Sequence, residues 1–130
     1  MRAVDTNLVV RLFAQDDAEQ VSAARRALAA DAVFVPKSVI VEFEWVMRGV
    51  YGASRAVIAS AIQTILATAN VEVEDAVAVA RAVDWFRQGM DLADAVHLAS
   101  SGHADWFVTF DRALRRRATT LQTKPPVMEP

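Results

Sequence analysis

The sequence predicts an α/β protein with a short, mainly parallel sheet of four to five strands and helices on both of its faces. Brief apolar runs, such as residues 71–73, alternate with longer segments whose apolar residues recur at helical spacing. Parallel strands buried on both faces have this composition, and helices then cover the sheet. The chain has 130 residues, of which 54% are hydrophobic, which is enough for one domain with a core. We expect that domain at residues 1–122, followed by a Pro-rich tail at residues 123–130.

Local signals predict each element in turn. Strands are predicted at residues 1–5, 32–35, 71–73 and 106–109, with a further edge strand at residues 119–122. The first of them is expected to be buried. Helices are predicted at residues 8–14, 18–30, 38–50, 54–67, 75–88, 91–101 and 111–117. Several of these helices have a small polar residue suited to accept their first backbone N–H groups: Thr6 or Asn7, Asp16 or Asp17, Ser38 and Ser54.

Composition excludes several classes of protein. The chain has no cysteine, which excludes disulfide frameworks, thiolate metal sites and cysteine nucleophiles. Its net charge of −2 is not that of a globally basic nucleic-acid binder. Basic residues nevertheless gather towards the C-terminal end: Arg112, Arg115, Arg116, Arg117 and Lys124. No apolar run approaches the ~18 residues of a membrane span and no signal-peptide pattern is present, so we expect a cytoplasmic protein.

Four acidic residues interrupt or border the apolar segments. Asp5 and Asp111 follow predicted strands, while Glu42 and Asp94 fall in the first turns of predicted helices. In parallel α/β folds the functional crevice lies beyond the carboxyl ends of the strands, so we expect the four carboxylates to meet there. Grouped carboxylates are costly unless a cation joins them, and Mg²⁺ and Mn²⁺ prefer oxygen ligands. The pattern therefore favours a metal-dependent enzyme that acts on phosphodiesters.

Four short motifs also carry a resemblance to a known family. In order, they are Val4-Asp5-Thr6-Asn7, Val41-Glu42-Phe43, Asp94-Ala95-Val96-His97-Leu98-Ala99 and Val108-Thr109-Phe110-Asp111. This set resembles the PIN-domain nucleases over residues 1 to about 117, and the short single-domain form resembles the VapC toxins. The resemblance implies a three-layer α/β/α domain with Mg²⁺- or Mn²⁺-dependent endoribonuclease activity. It further implies RNA substrates, a homodimer, and inhibition by a cognate VapB-type antitoxin whose C-terminal segment covers the acidic groove.

The resemblance also assigns roles to individual residues. The metal-binding, catalytic acids would be Asp5, Glu42, Asp94 and Asp111. Polar neighbours that orient a ligand or a metal-bound water would be Thr6, Asn7 and Thr109. Asp91 adds a fifth acid three residues before Asp94, and the sequence leaves open which of the two lies nearer the metal.

Several of these acids also have a structural interpretation. Asp5, Asp91 and Asp111 are each suited to cap a following helix. Glu42 has a rival in Glu44, which reaches Arg48 at helical spacing and so indicates a solvated face. Glu42 instead flanks the apolar stripe of the same helix, which suits the wall of a crevice, and we favour it as the ligand.

Other side chains favour ordinary roles. We expect His97 to be partly buried rather than a ligand, and His103 to be a surface residue. Core positions are expected for Trp45, Trp85 and Trp106 rather than base stacking. The run of residues 115–117 suits a helix C-terminus, although RNA contact is the other interpretation, with Arg112, Arg115 and Arg116 as the candidates. An apolar row that exceeds the needs of a small core favours the homodimer: Ile58, Ile62, Ile65 and Leu66.

Two alternatives have weaker support: a hydrolase of another class, and a non-catalytic binding module such as a PIN-like adaptor or a phospho-receiver domain. A phosphatase with an aspartyl nucleophile at Asp5 needs a second Asp two positions on, where Asn7 stands. It also needs a lysine in the site, and the only lysines are Lys37 and Lys124. A catalytically inactive PIN-like binding module or adaptor is favoured by loss of one acid, and all four are present. A phospho-receiver domain needs paired acids after its first strand, which this sequence does not supply.

Overall fold

A computed structural model describes residues 1–130 as seven helices and five strands. The strands are β1 (Arg2–Ala3), β2 (Val33–Val35), β3 (Val71–Val73), β4 (Phe107–Val108) and β5 (Val127–Met128). The helices are α1 (Thr6–Arg11), α2 (Ala18–Ala30), α3 (Lys37–Gly49), α4 (Arg55–Ala67), α5 (Ala76–Arg87), α6 (Leu92–Ala99) and α7 (Arg112–Leu121). Every strand pairing is parallel, so the predicted helix-rich α/β fold is confirmed.

The chain divides into two compact units, Met1–Ala76 (unit 1) and Val77–Pro130 (unit 2). Unit 1 contains a sheet in the order β1-β2-β3, with Val33 of β2 opposite Arg2 on one side and Val71 on the other. Unit 2 contains the pair β4-β5, with Val108 opposite Met128. The division into a domain at residues 1–122 and a tail at residues 123–130 stays a prediction.

Side-chain caps determine where two helices of unit 1 begin. The hydroxyl of Ser54 accepts the N–H of Val57 at 3.2 Å, and α4 starts directly after it, as predicted. The carboxylate of Asp17 accepts the N–H of Gln20 at 3.1 Å and starts α2. Both helices end at the predicted residue, because local signals at their two ends agree with the apolar spacing between them.

The predicted cap of α3 was wrong, and of the residues suited to cap α1 the structure shows Asp5 in that role. Asp5, rather than Thr6 or Asn7, caps α1 and so belongs to the helix start as well as to the strand end. Pro36 stands at the cap position of α3, and no side chain, that of Ser38 included, caps this helix. The preset backbone angle of proline, with φ at −62°, directs the chain out of β2 instead.

Apolar residues at helical spacing fill the interior of unit 1. Ile40 and Phe43 of α3 and Ile58 of α4 have no exposed surface. The ring of Phe43 meets that of Phe13 edge-on, with centroids 5.5 Å apart. Burial of each large apolar side chain contributes roughly 1.5–3 kcal/mol, which is enough to hold these helices in place.

Two expectations about burial in unit 1 were wrong. Three of the four apolar residues of the α4 row lie in the chain's own core, since Ile58 and Ile62 are fully buried and Ile65 is 5% exposed. Only Leu66 is half-buried, so the row offers little surface for a homodimer, which stays a prediction. The first strand is not buried, because Arg2 and Ala3 are both exposed.

The two glutamates of α3 have exposures opposite to those expected. Glu44 is 5% exposed, and its carboxylate accepts from Arg48 Nε at 2.9 Å, so the predicted ion pair forms on a buried side of the helix. Glu42 is exposed. A buried carboxylate is tolerated only with such a partner, which makes Glu44 a structural residue of this helix.

In unit 2, α7 extends further than the sequence predicted. The hydroxyls of Thr119 and Thr120 donate to the carbonyls of Arg115 and Arg116 at 3.0 and 3.1 Å, so these residues lie in the last helical turn. The helix stops at Gln122, whose φ of 53° is left-handed. The edge strand predicted at residues 119–122 was therefore wrong, and residues 115–117 lie within the helix rather than at its end.

The final residues of the chain contribute a strand. The N–H groups of Phe107 and Thr109 donate to the carbonyls of Pro126 and Met128 at 2.9 and 3.0 Å, which pairs β5 with β4. Glu129 forms an ion pair with Arg115 of α7. The segment beyond residue 122 thus closes one edge of β4.

Two of the three tryptophans were wrongly expected in the core. Trp85 is 7% exposed, as predicted, whereas Trp45 and Trp106 are 68% and 55% exposed. None of the seven helices is both long and apolar enough to cross a membrane.

Glu44 should be a stabilising residue and Glu42 should not. We expect Glu44→Ala to lower the free energy of unfolding by about 1.5–3 kcal/mol, because it removes a buried, charge-assisted hydrogen bond. Glu42→Ala, on the same helix but exposed, is the matched control and should change it by less than about 0.5 kcal/mol. Urea denaturation of both variants measures the difference. Equal effects of the two substitutions would contradict the assignment of Glu44.

Candidate metal centre

The start of α6 brings two of the predicted acids together. Asp91 caps this helix, and its carboxylate accepts the N–H of Asp94 at 3.1 Å. Asp94 lies in the first turn, where the partial positive charge of a helix N-terminus favours a carboxylate. Asp91 is exposed and Asp94 is half-buried.

The start of α7 fixes a third acid. Asp111 caps the helix, its carboxylate accepting the N–H of Leu114 at 3.0 Å. The hydroxyl of Thr109 accepts the N–H of Asp111, also at 3.0 Å. Thr109 follows β4 directly. Asp111 is therefore hydrogen-bonded both to the residue that ends the strand and to the first turn of α7.

These three acids line one cavity of about 280 Å³ within unit 2. Its lining consists of Gly89, Met90, Asp91, Asp94, Asp111, Ala113, Leu114 and Arg117. The cavity thus has three carboxylates and one guanidinium. Arg117 donates to the carbonyl of Gln88 at 3.2 Å, which ties its charge to the cavity wall.

Gly89 allows Arg117 to take this position. Its φ of 108° is one that other residues rarely adopt, and a Cβ added there would lie 2.9 Å from the guanidinium carbon of Arg117. The helix predicted at residues 75–88 stops just before Gly89, and α5 does end at Arg87. The contact of Gly89 with Arg117 has no signal in the sequence, because Gly89 follows α5 whereas Arg117 lies within α7.

The electrostatics of this cavity act most strongly on Asp94. Burial raises the pKa of its carboxyl above the ordinary value, and the negative charges of Asp91 and Asp111 raise the pKa further. His97 acts in the opposite direction and lowers the pKa of Asp94. His97 itself is exposed, contrary to expectation, and His103 is exposed, as expected.

The predicted acids of unit 1 have different surroundings. Asp5 is exposed and accepts the N–H of Leu8 at 3.1 Å as the cap of α1. Its neighbour Thr6 is 5% exposed, whereas Asn7 is exposed. Glu42 is exposed on α3. Unit 1 also encloses an apolar cavity of about 250 Å³, but no acid lines it, so it offers no ligand for a cation.

Part of the predicted constellation is therefore assembled around one cavity. Asp91, Asp94 and Asp111 line it together, although no group of three or more acids or histidines is drawn close enough to hold a metal ion. Whether Asp5 and Glu42 join the same ion stays a prediction. So does the choice between Asp91 and Asp94 as the nearer ligand.

The donor set of unit 2 suits a hard divalent cation. All three acids offer carboxylate oxygens, which Mg²⁺ and Mn²⁺ prefer, and the chain has no thiolate to compete. The raised pKa of Asp94 shows that its negative charge is unfavourable in this setting. A bound cation removes that penalty, because it offsets both the repulsion and the loss of hydration.

From the raised pKa of Asp94 we predict how stability depends on pH. A pKa that is higher in the folded chain favours folding at low pH, and this contribution is lost as pH rises through the folded-state pKa. At neutral pH without metal, Asp94→Asn should therefore raise the free energy of unfolding, by no more than about 1 kcal/mol since solvent screens a half-buried group. The gain should disappear below the ordinary Asp pKa of about 3.9.

Thermal unfolding in EDTA at neutral and acid pH tests this. Asp84→Asn is the matched control, because Asp84 is an exposed acid of unit 2 that does not line the cavity. A lower melting temperature for Asp94→Asn than for the wild type at neutral pH would contradict the prediction.

The positive φ of Gly89 leads to a second prediction. Gly89→Ala should lower the free energy of unfolding by about 1–3 kcal/mol, because its φ is unfavourable for a side chain. Adding Arg117→Ala removes the close contact but not the backbone strain, so the double variant should recover only part of the loss. Urea denaturation of both variants and of Arg117→Ala alone measures this, and full recovery would show that backbone strain is unimportant.

Comparison with known proteins identifies a family to which the chain is similar. The family model for the PIN domain matches residues 2–119. No curated protein and no solved structure gives a match. Because the match covers most of the chain and contains all five of the acids discussed above, this protein belongs to the PIN domain family.

Proposed function

We propose that this protein is an Mg²⁺- or Mn²⁺-dependent endoribonuclease that hydrolyses RNA phosphodiester bonds. PIN domains are generally metal-dependent nucleases, and the chain has a nuclease-type fold. RNA as the substrate and the identity of the ion are the proposed refinements of that family activity.

One observation carries the proposal. Asp91, Asp94 and Asp111 line one cavity, and burial together with the charges of the other two acids raises the pKa of Asp94. Acids that perturb one another in a cleft are typical of functional sites. Purely structural caps have no need to share a cavity, whereas ligands of one cation do.

The residues of the cavity have distinct roles in this proposal. Asp94 and Asp111 hold the ion, which when bound polarises the phosphate as a Lewis acid. Asp91 and Thr109 are positioning residues, because they hydrogen-bond the backbone N–H groups of Asp94 and Asp111. Arg112 and Arg116 are exposed on α7 and bind the RNA backbone.

Asp5 and Glu42 complete the ligand set in the proposal. Their support is the order and spacing of the four motifs, together with the exposure of both carboxylates. The burial of Glu44 in an ion pair adds to this, because it leaves Glu42 as the available acid of α3. Thr6 and Asn7 would then act beside Asp5.

We further propose that the chain is a VapC-type toxin of the cytoplasm, held inactive by a VapB-type antitoxin and active as a homodimer. Support comes from the resemblance of the four motifs to the short, single-domain members of the family. An antitoxin segment that covers the acids needs Arg or Lys side chains to offset their charge.

The nuclease is tested with the purified protein, cellular RNA and Mg²⁺ or Mn²⁺. We expect discrete cleavage that EDTA abolishes and that Asp94→Asn and Asp111→Asn each reduce at least about 100-fold, since each removes a charge that holds the ion. Asp84→Asn, outside the cavity, should cleave as the wild type does. Asparagine also caps helices, so Asp111→Asn should stay folded. Asp94 caps no helix, so Asp94→Asn should stay folded as well.

Binding of Mn²⁺, measured by calorimetry, separates the alternatives. Metal binding that depends on Asp94 without cleavage of any RNA would favour a catalytically inactive PIN-like adaptor. Cleavage that survives Asp94→Asn but not Asp91→Asn would make Asp91 the nearer ligand. Full cleavage in EDTA would overturn the proposal.

The toxin proposal has its own readout. Expression of the chain without an antitoxin should arrest growth of a bacterial host, whereas Asp94→Asn should not, because the arrest depends on hydrolysis. Light scattering at micromolar concentration should give twice the chain mass. Normal growth with an active, abundant enzyme would contradict the toxin assignment, and a monomer would contradict the dimer.

A further inference from the structure

Arg117 is the one basic residue that lines the acidic cavity of unit 2, together with Asp91, Asp94 and Asp111. It forms no ion pair with any of these acids. The pKa of Asp94 is lowered by His97 and not by Arg117, so the guanidinium does not neutralise the acid with which it shares the cavity. A guanidinium stays charged at all ordinary pH values, and this one is available to another anion.

The surroundings of Arg117 fix its guanidinium but leave most of its donors unused. Its Nη1 donates to the carbonyl of Gln88 at 3.2 Å, which is its only hydrogen bond, whereas a guanidinium has five N–H donors. A Cβ added at Gly89 would lie 2.9, 3.0 and 3.1 Å from the central carbon and the two terminal nitrogens, so the group lies flat against the glycine. The donors lie in the plane of the group, and contact on its face leaves them uncovered.

The charges around the cavity match a ligand that combines a cation with an anion. The three carboxylates suit a divalent cation, whereas the planar donors of an arginine match the oxygens of a phosphate in pairs. A phosphodiester held beside a metal ion is such a ligand. An anion without the cation is not, because the carboxylates repel it.

We propose that Arg117 binds a non-bridging oxygen of the phosphodiester that is hydrolysed in the acidic cavity. This inference rests on the proposed nuclease function and adds a substrate-binding residue from outside the four acidic motifs. In hydrolysis the hydroxyl of a water adds to phosphorus, the bond to one ester oxygen breaks, and that oxygen leaves with the other proton of the water. Negative charge is concentrated on the non-bridging oxygens, and a guanidinium already fixed beside them stabilises it.

The first test measures binding without cleavage. Dimethyl phosphate, a phosphodiester with neither base nor sugar, is added to the full chain with Mn²⁺, and broadening of its phosphorus NMR resonance reports binding beside the ion. Arg117→Gln should weaken this binding about tenfold or more, because it removes charge-assisted hydrogen bonds. Its affinity for Mn²⁺, measured by calorimetry, should be unchanged or higher, because a positive charge near the cation has been removed.

Two further variants make the result specific. Arg117→Lys keeps the charge but not the paired donors, so it should recover part of the affinity for dimethyl phosphate. Arg81→Gln is the matched control and should bind as the wild type does, because Arg81 is an exposed arginine of unit 2 that does not line the cavity. Glutamine keeps an N–H donor for the carbonyl of Gln88, and circular dichroism should show Arg117→Gln folded.

A second measurement depends on no substitution. In the wild type with Mg²⁺, the Nε–H resonance of Arg117 should shift as dimethyl phosphate is added, because the bound phosphate accepts from the guanidinium. With saturating cellular RNA, the rate of cleavage should be about 100-fold lower in Arg117→Gln than in the wild type, since the lost donor acts on charge that develops during the reaction.

Each remaining outcome has one meaning. Loss of Mn²⁺ and dimethyl phosphate together in Arg117→Gln, with a lower melting temperature, would make Arg117 a structural residue and overturn the inference. Equal binding of dimethyl phosphate by Arg117→Gln, or an unmoved Nε–H resonance, would also overturn it, even if the protein cleaves RNA. Binding of dimethyl phosphate that depends on Arg117, without cleavage of any RNA, would instead overturn the nuclease proposal alone.

Discussion

A helix must begin at a residue that accepts its unpaired N–H groups, and the acidic positions of this chain depend on that requirement. Asp5, Asp91 and Asp111 accept N–H groups at the starts of α1, α6 and α7, at 3.0 to 3.1 Å. Such a cap is worth about 1 kcal/mol and uses only part of a carboxylate's capacity to accept hydrogen bonds. The remaining lone pairs stay available to a cation. Folding therefore positions these acids before any ion binds.

Asp94 differs from these caps because its ionised carboxylate lowers the free energy of unfolding. It makes no capping bond itself, and its surroundings raise its pKa. Its negative charge is disfavoured by burial and by repulsion from Asp91 and Asp111. Residues that oppose folding in this way are typical of functional sites, where ligand binding repays the cost. Asp91, as the cap that accepts from Asp94, is the structural partner of the pair. This division of roles argues for Asp94 as the nearer ligand.

Elements with local signals at both ends could be predicted closely from the sequence. The bounds of α2 and α4 agree with the prediction, because a capping aspartate or serine and a clear apolar pattern coincide there. The end of α7 could not be predicted, since threonines favour strands in isolation and here donate back to helical carbonyls. Proline rather than a side-chain cap begins α3, for which Ser38 was a misleading signal.

Exposure was harder to predict than secondary structure. Glu42 and Glu44 are two residues apart on one helix, and which of them faces protein depends on elements that pack against α3 rather than on its own spacing. Trp106 is a large aromatic residue of the kind expected in a core, but it is 55% exposed. For the acids, the helix starts could be predicted from the sequence, whereas the shared cavity depends on tertiary packing. The position of Arg117 in that cavity requires the glycine at residue 89, which no periodic pattern predicts.

The pairing of β5 with β4 gives the last residues of the sequence a part in the scaffold of the acidic cavity. They occupy one edge of the strand that leads to Thr109 and Asp111, and Glu129 neutralises Arg115 on the adjoining helix. Proteolysis after residue 122 would leave the N–H groups of Phe107 and Thr109 without acceptors. An open strand edge beside an apolar face is a template for intermolecular β-pairing. Trimming this short segment would therefore convert a folded chain into one prone to aggregate, without removing any of the acids that line the cavity.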